Sequence, residues 1–185
     1  MNFALEKLAD LLSEMNAIGE KVSAITQRPA SRGHTGEYIA AEIFDIELEE
    51  SANAKGFDGR FRSGNLAGRT VNVKWYGKLE YMLDINPDAL PDFFLVMTGP
   101  KALEMTSKGG VRPWLIDYVF LFNAAELMIE LNARGVKIGI ATSVQKHEFQ
   151  AAEIFPNKRS MVYRMTDDQM GKVMGFGSGL AESWY

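Results

Sequence analysis

The chain has 185 residues, 46% hydrophobic and 11% aromatic, enough apolar side chain for one sizeable core and too much for a disordered segment. Twenty lysines and arginines against 24 acids leave a net charge of −4, which argues against a uniformly basic nucleic-acid binder. With no cysteine, disulfides, thiolate zinc sites, iron–sulfur clusters and cysteine nucleophiles are excluded. No apolar run approaches the ~20 residues of a membrane span, and the charged, amphipathic start is unlike a secretory signal, so the expectation is a cytoplasmic protein without a membrane partner.

Taken in chain order, residues 2–26 carry Phe3, Leu5, Leu8, Leu11, Leu12, Met15, Ile18, Val22 and Ile25 in one helical stripe, interrupted by Gly19. Residues 27–33 hold Pro29 and Gly33 and read as a break, so residues 1–28 form a helical extension to a domain at 33–185. A second helix is predicted from an N-cap at Thr35 to about Glu49. Its apolar arc includes Ile39, Ala40, Ile43, Phe44, Ile46 and Leu48, and Glu37 falls inside that arc near the helix start. A carboxylate there needs a partner, supplied by the helix N-terminus and solvent or by a functional site.

Residues 55–78 predict a β-hairpin, with 63–68 as its loop. Phe57, Gly59 and Phe61 alternate with Asp58, Arg60 and Arg62 on the first strand; Val71, Val73 and Trp75 alternate with Asn72, Lys74 and Tyr76 on the second. If the apolar faces coincide, Asp58, Asn72 and Lys74 share the polar face, Asp58 pairing with Asn72 or Lys74 at a Cβ separation of roughly 5 Å. The hairpin is also locally basic: Lys55, Arg60, Arg62, Arg69, Lys74 and Lys78 surround the single acid Asp58, while much of the opposing charge precedes it in Glu42, Asp45, Glu47, Glu49 and Glu50.

Beyond the hairpin, a buried strand is predicted at 91–97, a loop with a possible helical turn at 101–113, and a fourth strand at 117–122. Asn123 caps a helix over 124–134 that Gly135 ends. A short fifth strand at 136–141, a helix or excursion at 143–155 and a helical, Gly-rich tail complete the order. The fold class is therefore α/β with a mixed central sheet of about four to five strands flanked by helices.

An acid in the first hairpin strand, an x-Lys motif in the second and a helical Glu before them resemble the PD-(D/E)XK phosphodiesterase superfamily of restriction-endonuclease-like nucleases. The resemblance covers roughly residues 33–135 and rests on Glu37, Asp58 and Asn72-Val73-Lys74. It implies a core of a helix, a three-stranded antiparallel meander, a helix and a further strand. It also implies Mg²⁺ or Mn²⁺ held by Asp58, Glu37 and the Val73 carbonyl, with Lys74 as the catalytic ammonium. Arg60, Arg62, Arg69 and Lys78 become candidates for DNA phosphate contacts. Hard cations of this kind take oxygen ligands and activate water for phosphodiester hydrolysis.

Asn72 stands where the family carries an acid, so one negative charge is missing from the motif. The alternative is a catalytically inactive nuclease-fold module that binds nucleic acid or a protein partner, and in either case the N-terminal helix offers a surface for a homodimer. Taken alone, Asp58 between glycines reads as a turn acid and Lys74 as half of a surface ion pair; their joint order carries the functional reading. His34 and His147 read as a loop and a helix-face histidine, and Trp75, Tyr76, Tyr81 and Trp114 as core or rim aromatics rather than base-stacking platforms. The Gly175-x-Gly-x-Gly run lacks the strand and helix of a dinucleotide fingerprint, and neither a Walker loop nor a Gly-x-Ser-x-Gly elbow is present.

Overall fold

A computed structural model describes residues 3–50, 56–101 and 112–179. In chain order it has helices α1 (Phe3–Thr26) and α2 (Arg32–Phe44), and strands β1 (Ile46–Leu48), β2 (Gly59–Phe61), β3 (Thr70–Tyr76), β4 (Met82–Leu83), β5 (Phe93–Thr98) and β6 (Tyr118–Asn123). Helix α3 (Ala124–Ala133), β7 (Thr142–Ser143), α4 (Lys146–Ala152), β8 (Glu153–Phe155) and α5 (Asp167–Met174) follow. The fold is α/β, with a mixed six-stranded sheet ordered β1-β2-β3-β5-β6-β8 and a small β4-β7 pair.

The sheet joins two antiparallel halves along one parallel seam. β1, β2 and β3 form an antiparallel meander, β3 and β5 run parallel from Val71↔Phe93 to Tyr76↔Thr98, and β5, β6 and β8 are again antiparallel. The parallel step needs a crossover, which residues 77–92 supply with β4 and irregular chain in place of the helix that the resemblance implies. β5 lies at the centre, buried along its whole length, and its run of Phe93 to Thr98 lacks the alternation of a half-exposed strand.

Alternation in β3 sorts the two faces. Val71, Val73 and Trp75 turn toward α2 and α5, in a core with Ile39, Ile43, Phe44, Leu95, Met97 and Val173. The opposite face packs Phe94, Val96, Phe120 and Phe122 against Leu127, Leu131 and Phe149 of α3 and α4. Gly36 allows α2 to lie close on the sheet, since a Cβ there would stand 3.1 Å from the Trp75 Cβ. Gly59 does the same between strands: a Cβ would meet the Glu47 carbonyl oxygen at 2.4 Å.

Several boundaries differ from expectation. α2 begins at Arg32 rather than Thr35, because the Ser31 hydroxyl accepts the His34 N–H and caps it. It ends at Phe44 rather than Glu49, where Asp45 turns into the left-handed region at φ 54°. Asp45 is held there by Arg62 and the Ser63 hydroxyl, and Ile46–Leu48 pairs with β2 instead of continuing the helix. The fifth strand expected at 136–141 is irregular; Thr142–Ser143 makes only the small pair with β4, and β8 fills the sheet edge instead. Asn123 and Gly135 cap and end α3 as expected, with Gly135 at φ 64°. Most of the loop expected at 101–113, the hairpin's Lys55 and the last residues of the tail lie outside the described residues. No helix among the described residues is long and apolar enough to cross a membrane.

Candidate functional site

Asp58 stands one residue before β2, at the root of the hairpin. Its backbone N–H donates to the Val71 carbonyl at 2.8 Å, and its own carbonyl accepts from Glu49 N–H at 2.9 Å, tying the root to the chain just after β1. The side chain replaces the missing strand partner of β3: Oδ2 accepts the Val73 N–H at 2.6 Å. That leaves Oδ1 for any further partner. A residue's N–H and C=O point to the same side of a strand, so the Val73 carbonyl faces Asp58 as well. The β2–β3 ladder, Arg60↔Thr70 and Gly59↔Val71, ends one residue short of Asp58, which meets β3 through Val71 and Val73 instead.

Burial pushes the Asp58 carboxyl above its ordinary value; the Val73 N–H pulls it back, Glu37 raises it further, and Lys74 and Arg28 lower it. Those influences bring Glu37, Lys74 and Arg28 within electrostatic reach of one carboxylate. Lys74 forms no ion pair with Asp58 or with any other described residue, so the ordinary surface pair is absent. It lies one alternation from Asn72 on the same face of β3, half-buried.

Asn72 supplies the least expected feature. Its Oδ1 is buried and has no hydrogen-bond partner among the described residues. Leaving such an acceptor unsatisfied costs about 1–3 kcal/mol, and orphaned buried groups of this kind are uncommon in native folds.

Glu37 reaches the root from α2. The earlier helix start puts it beyond the first turn, so the helix N-terminus is not its partner. Arg28 is: its Nη1 donates to Glu37 Oε2 at 2.7 Å, and its Nη2 donates to the Glu49 carbonyl at 3.1 Å. Only 31% of the Arg28 side chain and 17% of the Glu37 side chain are exposed, which makes the pair tighter than a surface contact. Arg28 lies in the break between α1 and α2 and shows no pattern in the sequence. Its one signal is the requirement that an acid inside an apolar arc be paired. The root thus balances two carboxylates, Glu37 and Asp58, with two cations, Arg28 and Lys74.

The basic rim is less available than the sequence implies. Arg62 pairs with Asp45 at 2.9 Å, Arg69 with Asp92 at 3.2 Å, and Arg60 stands 3.8 Å from Glu49 while lying over the Phe57 ring. Asp92 also accepts the Thr70 N–H and hydroxyl, and the N–H bond is the main reason its carboxyl titrates below the ordinary value. Lys78 lies past the far end of β3, in a cleft of about 240 Å³ with Tyr76, Glu80 and Arg112. The four candidates therefore form a partly neutralised cluster at the hairpin tip and a separate lysine.

Trp75 is a core residue whose indole N–H donates to the Leu115 carbonyl, and Tyr76 is tied to the Asp84 N–H. A cleft of about 480 Å³ between β6, α3 and α4 contains His147, Glu126 and Glu130 but none of the candidate residues. Among the described residues, no group of three His, Cys, Asp or Glu side chains is placed to hold a metal ion. No family model matches the chain, and no curated protein matches its sequence.

Proposed function

We propose that the chain is a metal-dependent phosphodiesterase with a restriction-endonuclease-like core, acting on DNA at the root of the β2–β3 hairpin. The observation that carries this reading is Asp58, fixed by the Val73 N–H at 2.6 Å with Glu37 and Lys74 in electrostatic reach, and a buried, unpartnered Asn72 Oδ1 on the neighbouring strand β3. Carboxylate, carboxamide and backbone carbonyl oxygens are the ligand type that hard cations select. The order of α2, an antiparallel meander and a parallel β5 supports the same core, although the crossover carries no helix.

In this reading Asp58 Oδ1, Glu37 and the Val73 carbonyl, with Asn72 Oδ1 as a further oxygen, would hold Mg²⁺ or Mn²⁺. The ion, when bound, supplies charge neutralisation at the phosphate and a more acidic water. Lys74 orients the attacking water and offsets charge developing on the phosphate oxygens. The Val73 N–H fixes the Asp58 rotamer, so the ligand is pre-positioned by the sheet. Arg28 holds Glu37 and spreads positive charge over the root, and would have to release Glu37 for it to serve as a ligand. Arg60, Arg62 and Arg69 contact phosphates by exchanging their acidic partners, and Lys78 contacts the backbone at a distance from them.

One observation favours the second reading, a nucleic-acid-binding module without catalysis. The Arg28–Glu37 pair and the neutral Asn72 leave the root with no net negative charge to attract a cation. Supercoiled plasmid incubated with the full chain and Mg²⁺ or Mn²⁺ separates the two. Nicking that chelator and Lys74→Ala abolish supports the enzyme. Salt-dependent retention without cleavage supports the module.

A further inference from the structure

α1 is the one long element that the rest of the chain leaves almost uncovered. Of its 24 residues only Thr26 is buried. Leu8, Leu11, Met15, Ile18 and Ile25 are 50%, 51%, 61%, 60% and 66% exposed, and Leu5 and Leu12 beside them are 61% and 47% exposed. The helix meets the body only near its C-terminal end, where Gly19, Val22 and Ser23 are half-buried. A helix of this length, about 36 Å, gains most of its stability from packing an apolar face, and soluble monomers rarely leave so continuous a face in water.

The spacing of that face identifies its partner. Leu8, Leu11, Met15, Ile18, Val22 and Ile25 follow one another at alternating steps of three and four, the heptad repeat of a left-handed coiled coil. Lys7, Glu14 and Lys21 occupy the flanking position of each heptad, which decides strand direction. Set antiparallel, with Leu8 against Ile25 of a second copy, the seam continues as Leu11 against Val22 and Met15 against Ile18, then repeats by symmetry. Glu14 of each helix then stands beside Lys21 of the other. Set parallel, Glu14 faces Gly19 and Lys21 faces Thr26, and neither charge finds an opposite.

We propose that α1 pairs with α1 of a second copy as an antiparallel, two-fold coiled coil. The arrangement is isologous and closes on itself, and it places the two bodies at opposite ends of the helix pair. It does not depend on the nuclease reading.

Sedimentation equilibrium of the full chain tests it. The expected mass is a dimer, falling to a monomer in Leu11→Glu/Ile18→Glu while the thermal unfolding of the body is unchanged. A monomer in the unmutated chain, or a trimer or tetramer, overturns the proposal. Direction is read by oxidative cross-linking, which the absence of native cysteine makes clean. Leu8→Cys mixed with Ile25→Cys should give a disulfide-linked dimer, because facing residues of the pair lie within the ~7 Å that a disulfide spans, and neither variant should cross-link alone. Cross-linking by Leu8→Cys alone overturns the antiparallel direction. Glu14→Lys should weaken association about tenfold, and Glu14→Lys/Lys21→Glu should restore it, since only direct pairing predicts rescue; failure of that rescue removes the charge argument.

Discussion

The tip and the root of the β2–β3 hairpin have similar compositions and opposite organisation. At the tip, each of Arg60, Arg62 and Arg69 has an acid nearby, and the side chains remain about half exposed or more. At the root, Asp58 is forced upward in pKa by burial, Asn72 Oδ1 has no partner, and Lys74 pairs with nothing among the described residues. Exposed, mutually satisfied charges are ordinary surface chemistry of small energetic value. A buried acceptor without a donor carries a stability cost of about 1–3 kcal/mol, and Asn72 Oδ1 shares that condition among the described residues with Arg32 Nε, Thr35 Oγ1, Thr98 Oγ1 and Arg134 Nε.

Activity gives the largest expected contrast. Lys74→Ala and Asp58→Ala should each reduce plasmid cleavage by about 10²–10⁴-fold, the range for losing a general acid–base or electrostatic group. Arg62→Ala should change the rate by less than about tenfold and reduce the salt dependence of DNA binding by about one counterion. Comparable losses from root and tip variants would erase the distinction.

Metal affinity comes next. Asn72→Asp adds the missing carboxylate and should tighten Mn²⁺ binding by about tenfold or more in calorimetry. Without metal the same variant should melt at a lower temperature, because the new carboxylate puts a charge where the buried Asn72 oxygen already lacks a donor. Arg28→Gln should shift both readings in the same directions and by less, since it frees Glu37 of its cation but adds no ligand. Weaker Mn²⁺ binding in Arg28→Gln would show that Arg28 positions Glu37 as a ligand rather than competing with the ion.

The pH dependence of stability should be smaller but of definite sign. The Asp58 pKa is raised above 3.8 in the folded chain, so the native state holds a proton that the unfolded state has lost. Its contribution to stability is present below the ordinary carboxylate range and declines as pH rises through the raised value. Metal-free protein should therefore lose stability across that window, and Asp58→Asn, which can still accept the Val73 N–H, should flatten the decline. Metal binding and cleavage should rise over the same window, because the carboxylate is the ligand. Melting curves taken across pH with and without Mn²⁺ check both slopes.

Much of the hairpin was legible because its chemistry is local. Alternation in 70–76 sorted Val71, Val73 and Trp75 from Asn72 and Lys74, and the faces are as expected. The end of α2 was not legible: Ile46 and Leu48 suit a helical stripe and a strand equally, and the choice is made by Asp45 in a left-handed turn held by Arg62 and Ser63 from the next hairpin. β8 was hidden for a similar reason, since Glu153–Phe155 follows α4 directly and becomes a strand only by pairing with β6. The pairing of the tip arginines and the role of Arg28 depend on contacts from Asp45, Glu49, Asp92 and Glu37, which no periodicity announces. Asn72 was visible as a departure from a motif; that its oxygen is buried without a donor needed the fold.

Crystals soaked in Mn²⁺ test the central claim most directly. The account predicts an anomalous peak at the hairpin root, about 2.0–2.6 Å from Asp58 Oδ1, Asn72 Oδ1 and the Val73 carbonyl, with Glu37 drawn from Arg28 toward the ion. An empty root with the Arg28–Glu37 pair intact, at Mn²⁺ concentrations that fill other sites, would contradict it.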